Sequence, residues 1–265
     1  MGPEELARQA YNLVGEPIEE VAARNPVNAW MREASRREAL SVFVPGSRLL
    51  EIGCGAGSDA IFLARRGFRV VGVDVAEEMV AVAHRRVEQA GLGGSVRVAR
   101  GRAGADLAGL GPNPFDGAYA NFSLTYEPSL RRVARNLAPL LRPASRLLFT
   151  VPNRLCLSEL GILWTREGRA DLSGRWREPG SREIRGVRVP IRVYSPSEVR
   201  RELGGLFRQR QQVGLPVFYP PPGVWSPRID RLRQLLRPLE EGWTRRWPWN
   251  GFGDCTLFVF EKLGG

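Results

Sequence analysis

With 265 residues, 43% hydrophobic and 25% charged, the chain has the composition of an ordinary globular protein with one moderate core and some elaborations. No apolar run approaches the ~20 residues of a membrane helix, and Met1–Ala10 lacks the pattern of a secretory signal, so a cytoplasmic location is expected. Three cysteines, at 54, 156 and 255, are odd in number and widely spaced, which argues against a disulfide framework and against a metal site. The formal charge is +11, from 39 basic and 28 acidic residues, and Lys262 is the only lysine. Residues 151–265 carry 20 basic and 12 acidic residues, so most of the excess lies there. The arginines are scattered rather than gathered into a run or tail, so a small-molecule partner is expected rather than a nucleic acid.

In chain order, residues 4–24 read as a polar helical lead-in interrupted by Pro26, and a helix runs from Asn28 to Val42 with Trp30, Ala34 and Leu40 on one face. Pro45-Gly46 is a turn. Strand 48–53, helix 57–66, strand 68–74, helix 76–90, strand 95–100, strand 116–121, helix 128–141 and strand 145–151 follow in alternation. That βαβ rhythm predicts an α/β fold: a doubly wound, mostly parallel sheet with helices on both faces and right-handed crossovers. Beyond Pro152 the rhythm breaks. Leu155 to Trp164 is apolar and reads as helix, and Ile184 to Tyr194 reads as a short hairpin. Ser195 as N-cap and Pro196 at the first helical position open a helix to Leu203. Phe207–Tyr219 and Cys255–Lys262 would be strands six and seven. Between them lie Trp225, Trp243, Trp247 and Trp249 in a Pro-rich stretch.

The most informative segment is Leu49-Leu50-Glu51-Ile52-Gly53-Cys54-Gly55-Ala56-Gly57, followed by Val70-Val71-Gly72-Val73-Asp74. Glycines let the backbone turn sharply and leave no Cβ in the way of a ligand. A ligand there lies at the carboxyl end of a buried strand, where open α/β sheets bind cofactors. Asp74 stands 21 positions after Gly53, suitably placed for the diol of a ribose. The glycine spacing differs from the G-x-G-x-x-G of dinucleotide sites, and Glu51 would oppose a pyrophosphate but suit a sulfonium and an ammonium group.

The pattern Glu51-Ile52-Gly53-Cys54-Gly55-Ala56-Gly57 with Asp74 and Met79 resembles the class I S-adenosylmethionine-dependent methyltransferases, and among them the small-molecule enzymes of the ubiquinone-biosynthesis type. Phe115–Phe122 resembles the family's fourth strand, and Leu137–Val151 the helix, turn and fifth strand. The resemblance implies a seven-stranded Rossmann-like methyltransferase sheet with inserted cap segments, and S-adenosylmethionine as cofactor. It implies that Glu51, Gly53, Gly55 and Gly57 face the methionine part, Asp74 the ribose and Met79 the adenine, with Val75 also among the cofactor-binding residues. Arg102 and Ala103 would border the adenine edge, Asn121 would bond the methionine amino group or carboxylate through its side chain or main chain, and Tyr11 would close over the cofactor.

Two departures stand out. Arg102 replaces the usual acid and cannot accept a hydrogen bond from the adenine. Pro143-Ala144-Ser145 replaces Pro-Gly-Gly, which is tolerable only if no residue there needs a positive φ. The expected organisation is a helical lid at 1–45, a cofactor-binding core at 46–153, cap insertions at 154–194 and 220–252, and completion of the sheet by 195–219 and 253–265. The cap would enclose an apolar or aromatic substrate. No catalytic residue is assigned: His84, the only histidine, belongs on a helix surface, and Tyr119, Tyr126 and Tyr194 are equal candidates to orient a phenolic acceptor. The expected activity is methyl transfer to such a metabolite. Two alternatives stay open: methylation of RNA or protein, and a non-catalytic nucleoside-binding protein with the same fold. Oligomeric state is left open.

Overall fold

The computed structural model describes residues 2–13, 24–103, 107, 110, 114–157, 180–184, 186–220 and 227–264. The frame is a seven-stranded sheet of order β3-β2-β1-β4-β5-β9-β8. Its strands are β1 (Arg48–Ile52), β2 (Arg69–Asp74), β3 (Val96–Arg100), β4 (Phe115–Ala120), β5 (Leu141–Pro152), β8 (Phe207–Leu215) and β9 (Cys255–Lys262). All pairings among β1 to β5 are parallel, and β9 runs antiparallel between β5 and β8. The inner strands are buried on both faces, as near-continuous apolar runs require: Leu50 and Ile52 of β1 face one core cluster and Leu49 the other.

On the Leu49 face lie α2 (Pro26–Val42), α3 (Ser58–Ala64) and α4 (Glu77–Gln89); on the other lie α5 (Leu130–Leu137) and α6 (Pro196–Leu203). A short helix, α1 (Pro3–Asn12), and a hairpin of β6 (Gly180–Ile184) and β7 (Val187–Ile191) share a small separate core. A last helix, α7 (Pro227–Trp243), follows β8.

Local signals explain most of the boundaries. Asn25 caps α2 by accepting from the N–H groups of Val27 and Asn28, and Pro26 occupies the first turn. Pro26 therefore opens this helix, two residues before the expected start at Asn28. The buried face of α2 is Val27, Met31, Ser35, Glu38 and Ala39, whereas Leu40 is exposed, so the expected face is displaced around the helix. Helix α6 begins in a full capping box between Ser195 and Glu198. The hairpin lies at 180–191 rather than 184–194, because Gly186, with φ +78°, supplies the turn. Ala144 has φ +60°, so the turn before β5 does place a non-glycine residue in the left-handed region where Gly would be easier.

Much of the expected 154–194 insertion, including most of the helix read at 155–164, lies outside the described residues, as does Trp225. In the second insertion, Trp247 is 86% exposed and Trp243 43%, so among the described residues these two enclose nothing. Trp249 instead meets Phe218, ring centroids 5.3 Å apart. The anchor of α7 is Glu240, fully buried, whose carboxylate accepts from the N–H groups of Val217, Phe218 and Tyr219 at 2.7–2.9 Å. Burial raises its pKa against the lowering effect of those three donors. Glu240→Ala would strand three buried donors, and each such loss costs about 1–3 kcal/mol. We expect a drop of about 3 kcal/mol or more in urea unfolding, and a loss under 1 kcal/mol would mean that α7 is held elsewhere.

Candidate active site

The strand order reverses between β1 and β4, which opens a crevice at the carboxyl ends of the strands. The loop after β1 is held from within. The N–H groups of Gly53 and Cys54 both donate to the Val73 carbonyl, at 2.8 and 3.0 Å, and Gly57 N–H donates to the Cys54 carbonyl at 2.9 Å. Gly53, Gly55 and Gly57 all have positive φ (68°, 53° and 79°). At two of them the missing side chain leaves room for the protein itself. A Cβ on Gly53 would stand 2.3 Å from Ser123 Cβ, and one on Gly57 would stand 3.2 Å from Ala83 Cβ of α4. Ser123 Oγ also donates to the Ile52 carbonyl at 2.6 Å, so the segments after β1 and β4 interlock across the crevice.

Asp74, at the end of β2, is half-buried, and its two oxygens are oriented from opposite sides. Oδ2 accepts from Gly55 N–H at 2.8 Å and Oδ1 from Ala76 N–H at 2.9 Å. Both donors are backbone N–H groups, so the carboxylate is held in a fixed orientation. Val75, half-buried, follows it, and Met79 (2% exposed) packs with Ala76 against Tyr11. The Tyr11 and Tyr126 hydroxyls are 2.9 Å apart and their rings meet edge to face. Burial, and then Tyr126, pushes the Tyr11 phenol well above its ordinary value, so Tyr11 stays neutral.

Arg102 is half-buried just beyond β3, and the Ala103 side chain belongs to the core beside Leu50 and Val73, so only its main chain can face a ligand. Glu51, 2% exposed, lies opposite Tyr119 on the Leu49 face of the sheet.

Of the two expected routes from Asn121 to a ligand, side chain and main chain, the side chain is committed elsewhere. Its Nδ2 donates to Asp59 Oδ2 at 2.9 Å, and its Oδ1 accepts from Thr150 Oγ1 at 3.3 Å. The side chain is thus spent inside the protein, which leaves the main chain for any ligand. Asp59, which the sequence reading passed over, is the hub of this corner. It is 3% exposed and pairs with Arg32 at 2.7 Å and Arg36 at 2.6 Å, both from α2. Burial alone would raise the Asp59 carboxyl, but Arg32, Arg36 and the Asn121 donor outweigh it and hold the group below the ordinary carboxylate range. The available signal was a charged residue at the start of the apolar segment Ala60–Ala64, an arrangement that needs a buried partner.

The three tyrosines are not equivalent. Tyr119 is fully buried, its hydroxyl 3.2 Å from Ser35 Oγ, and Tyr194 lies in the core. Burial raises the phenol pKa of both. Only Tyr126 stands beside the crevice, and His84 lies on the exposed face of α4. Among the described residues no group of His, Cys, Asp and Glu could hold a metal ion.

Two variants test this geometry. A carboxyl held below its ordinary value of about 4 stabilises the fold above that pH, and the contribution is lost as pH falls through the lower folded value. Asp59→Ala is therefore expected to cost about 3 kcal/mol at neutral pH and to flatten the acid limb of the stability–pH curve from urea titrations; an unaltered acid limb would show that Asp59 is not its source. Gly53→Ala should destabilise by more than the ~1 kcal/mol of a positive φ alone, with part of the loss recovered by adding Ser123→Gly. No recovery would remove the proposed steric cause.

Comparison with known proteins accords with this geometry. Residues 49–144 match the family model described as a methyltransferase domain. The ubiquinone biosynthesis O-methyltransferase of Xylella fastidiosa is 33% identical over 138 residues, 52% of each chain. The nocamycin O-methyltransferase of Saccharothrix syringae is 40% identical over 112 residues, 41% of this chain and 39% of that one. The chain thus spans about half the length, or less, of these curated relatives. Among solved structures, the cyclase SpnF superposes with a TM-score of 0.64 at 20% identity, covering 100% of this chain and 98% of its own. The N-methyltransferase NodS of Bradyrhizobium japonicum, solved with S-adenosylhomocysteine, superposes with a TM-score of 0.54 at 17% identity, covering 90% and 88%. Residues 49–144 are therefore similar to a methyltransferase domain, and the sheet that carries them has the fold of the class I S-adenosylmethionine-dependent methyltransferases.

Proposed function

We propose that the chain is an S-adenosylmethionine-dependent methyltransferase that acts on a small metabolite. The observation that carries this reading is Asp74: a half-exposed carboxylate beyond a glycine-rich turn, oriented by two backbone N–H groups at the end of the second strand. Such a group fits a ribose diol, since charge-assisted hydrogen bonds need fixed acceptors. In this reading Tyr11 and Met79 cover the adenine, with Val75, Arg102 and the Ala103 main chain at its border. Glu51, the loop of Gly53, Gly55 and Gly57, and the Asn121 main chain border the methionine part. When bound, S-adenosylmethionine supplies a methyl group already activated by the sulfonium charge. The protein then needs chiefly to hold a nucleophile in line near that methyl and to exclude water, and positioning of that kind supplies much of the acceleration. The segment Phe122–Tyr126 is suited to border the acceptor, and α1 with the β6–β7 hairpin to cover it. The curated relatives named above are O-methyltransferases by name, which favours oxygen as the accepting atom.

The arginine excess does not favour a nucleic-acid substrate. Arg32 and Arg36 are committed to Asp59 and Arg245 to Glu38, while Arg48 and Arg66 lie over the rings of Phe115 and Phe62. A second reading, nucleoside binding without methyl transfer, is favoured by one observation: a solved neighbour of the same fold, SpnF, is a cyclase.

Titration calorimetry with S-adenosylhomocysteine tests the cofactor assignment. The native chain should bind, and Asp74→Ala should bind at least about tenfold more weakly; equal affinities would remove Asp74 from the site. Transfer of labelled methyl from S-adenosylmethionine to a panel of small phenols and acids then separates an enzyme from a binding protein.

A further inference from the structure

The β6–β7 hairpin presents one apolar face to α1. Cross-strand pairing sets Gly180 opposite Ile191, Arg182 opposite Val189 and Ile184 opposite Val187, and directly opposed residues share a face. Ile184 and Val189 are buried there against Ala7 and Ala10, with Tyr11, Tyr126 and Val187 packed around them. Arg182 is the polar exception on that face. It remains exposed to solvent, and it lies within electrostatic reach of the Tyr126 and Tyr11 hydroxyls, Cys255 and Asp254. Those four come from three different places around the carboxyl edge of the sheet: the segment after β4, helix α1 and the start of β9. Among the described residues Arg182 forms no hydrogen bond and no ion pair. Arg192 and Arg154, by contrast, are committed: Arg192 pairs with Glu202, and Arg154 with Glu198.

We propose that Arg182 is the acceptor-binding residue for a substrate that carries a carboxylate. A guanidinium presents a planar fork of donors that matches a carboxylate in two parallel hydrogen bonds. Tyr11 and Tyr126, their hydroxyls bonded to each other, pack on the same core as the hairpin face that carries Arg182. The hairpin thus carries the charge that selects the acceptor, while the glycine loop and Asp74 serve the nucleoside. Tyr11 belongs to both: one side meets Met79 and Ala76, the other meets the hairpin core. Tyr11 is thus a wall common to both sites.

This inference rests on the methyltransferase reading, and the test separates the two. The full chain is first saturated with S-adenosylhomocysteine, and then para-fluorobenzoate and its neutral counterpart para-fluorobenzamide are titrated by fluorine NMR. The benzoate should bind at least about tenfold more tightly than the amide. Arg182→Gln should abolish that preference, Arg182→Lys should keep part of it, and both variants should bind S-adenosylhomocysteine as the native chain does. Equal binding of benzoate and amide by the native chain would overturn the proposal, as would a preference that survives in Arg182→Gln. Weakened S-adenosylhomocysteine binding in Arg182→Gln would also overturn it, because the guanidinium would then serve the cofactor carboxylate. If the native chain fails to bind S-adenosylhomocysteine at all, the reading of the nucleoside site fails instead, while the benzoate titration on the ligand-free chain still decides whether Arg182 holds an anion.

Discussion

A carboxylate with 3% of its surface exposed, Asp59, holds the corner of the molecule on which the crevice depends. It draws two arginines of α2 and the amide of Asn121 onto the first turn of α3, and Asn121 in turn engages Thr150 of β5. Thr150 also receives the Phe122 N–H at 2.6 Å, which sets the backbone where the chain leaves β4 with a positive φ. Four pieces of chain, α2, α3, the segment leaving β4 and β5, are therefore registered against one buried charge. Such a cluster adds little net stability over a well-packed apolar one, but breaking it leaves charges without partners. Its value lies in position: the segment that borders the crevice cannot shift without disturbing the network.

The glycine-rich turn acquires a second physical meaning from this arrangement. Its N–H groups at Gly53, Cys54, Gly55 and Gly57 are all used inside the protein. The absent side chains at Gly53 and Gly57 make room for Ser123 and Ala83. The motif is thus as much a device for interlocking β1, β4 and α4 as a surface for a ligand. Its geometry fixes where the Asp74 carboxylate points, because Gly55 supplies one of the two donors that orient it. The outer elements follow a different logic. Helix α1 and the hairpin bury little against the main sheet and share a small core of their own with Tyr126. Local elements with few buried contacts open at low free energy, which suits parts of a fold that must admit a ligand. The hairpin is tied to the rim through Thr125 and Arg192: Arg192 N–H donates to the Thr125 carbonyl, and Thr125 Oγ1 donates to the Arg192 carbonyl.

Much of the frame was legible in the residues. Alternating apolar runs and glycine turns between Arg48 and Val151 mark the parallel strands, because strands buried on both faces must be apolar throughout. Ser195-Pro196-Ser197-Glu198 announces α6, because its hydrogen bonds are local. The last strand, Cys255–Lys262, and the Asp74 acid after β2 were readable for the same reason: each depends on its neighbours in sequence.

What tertiary structure alone decided is how distant side chains are spent. Asn121 reads as a ligand contact until Asp59, 62 positions earlier, takes its amide. Tyr119, Tyr126 and Tyr194 look alike in sequence, and only packing sends two into the interior and one to the crevice. Trp243 and Trp247 suggest an enclosed pocket by composition, yet both lie in the open, since no periodicity records which face of α7 and its following turn meets the sheet. Arg182 is one of 38 arginines by composition, and only cross-strand pairing turns it onto the apolar face of the hairpin. By itself the sequence determined the sheet, the nucleotide-type turn and its acid, because those features rest on local backbone geometry and apolar periodicity. Which polar groups remain available for chemistry is set by partners far apart in the chain, and only folding brings them together.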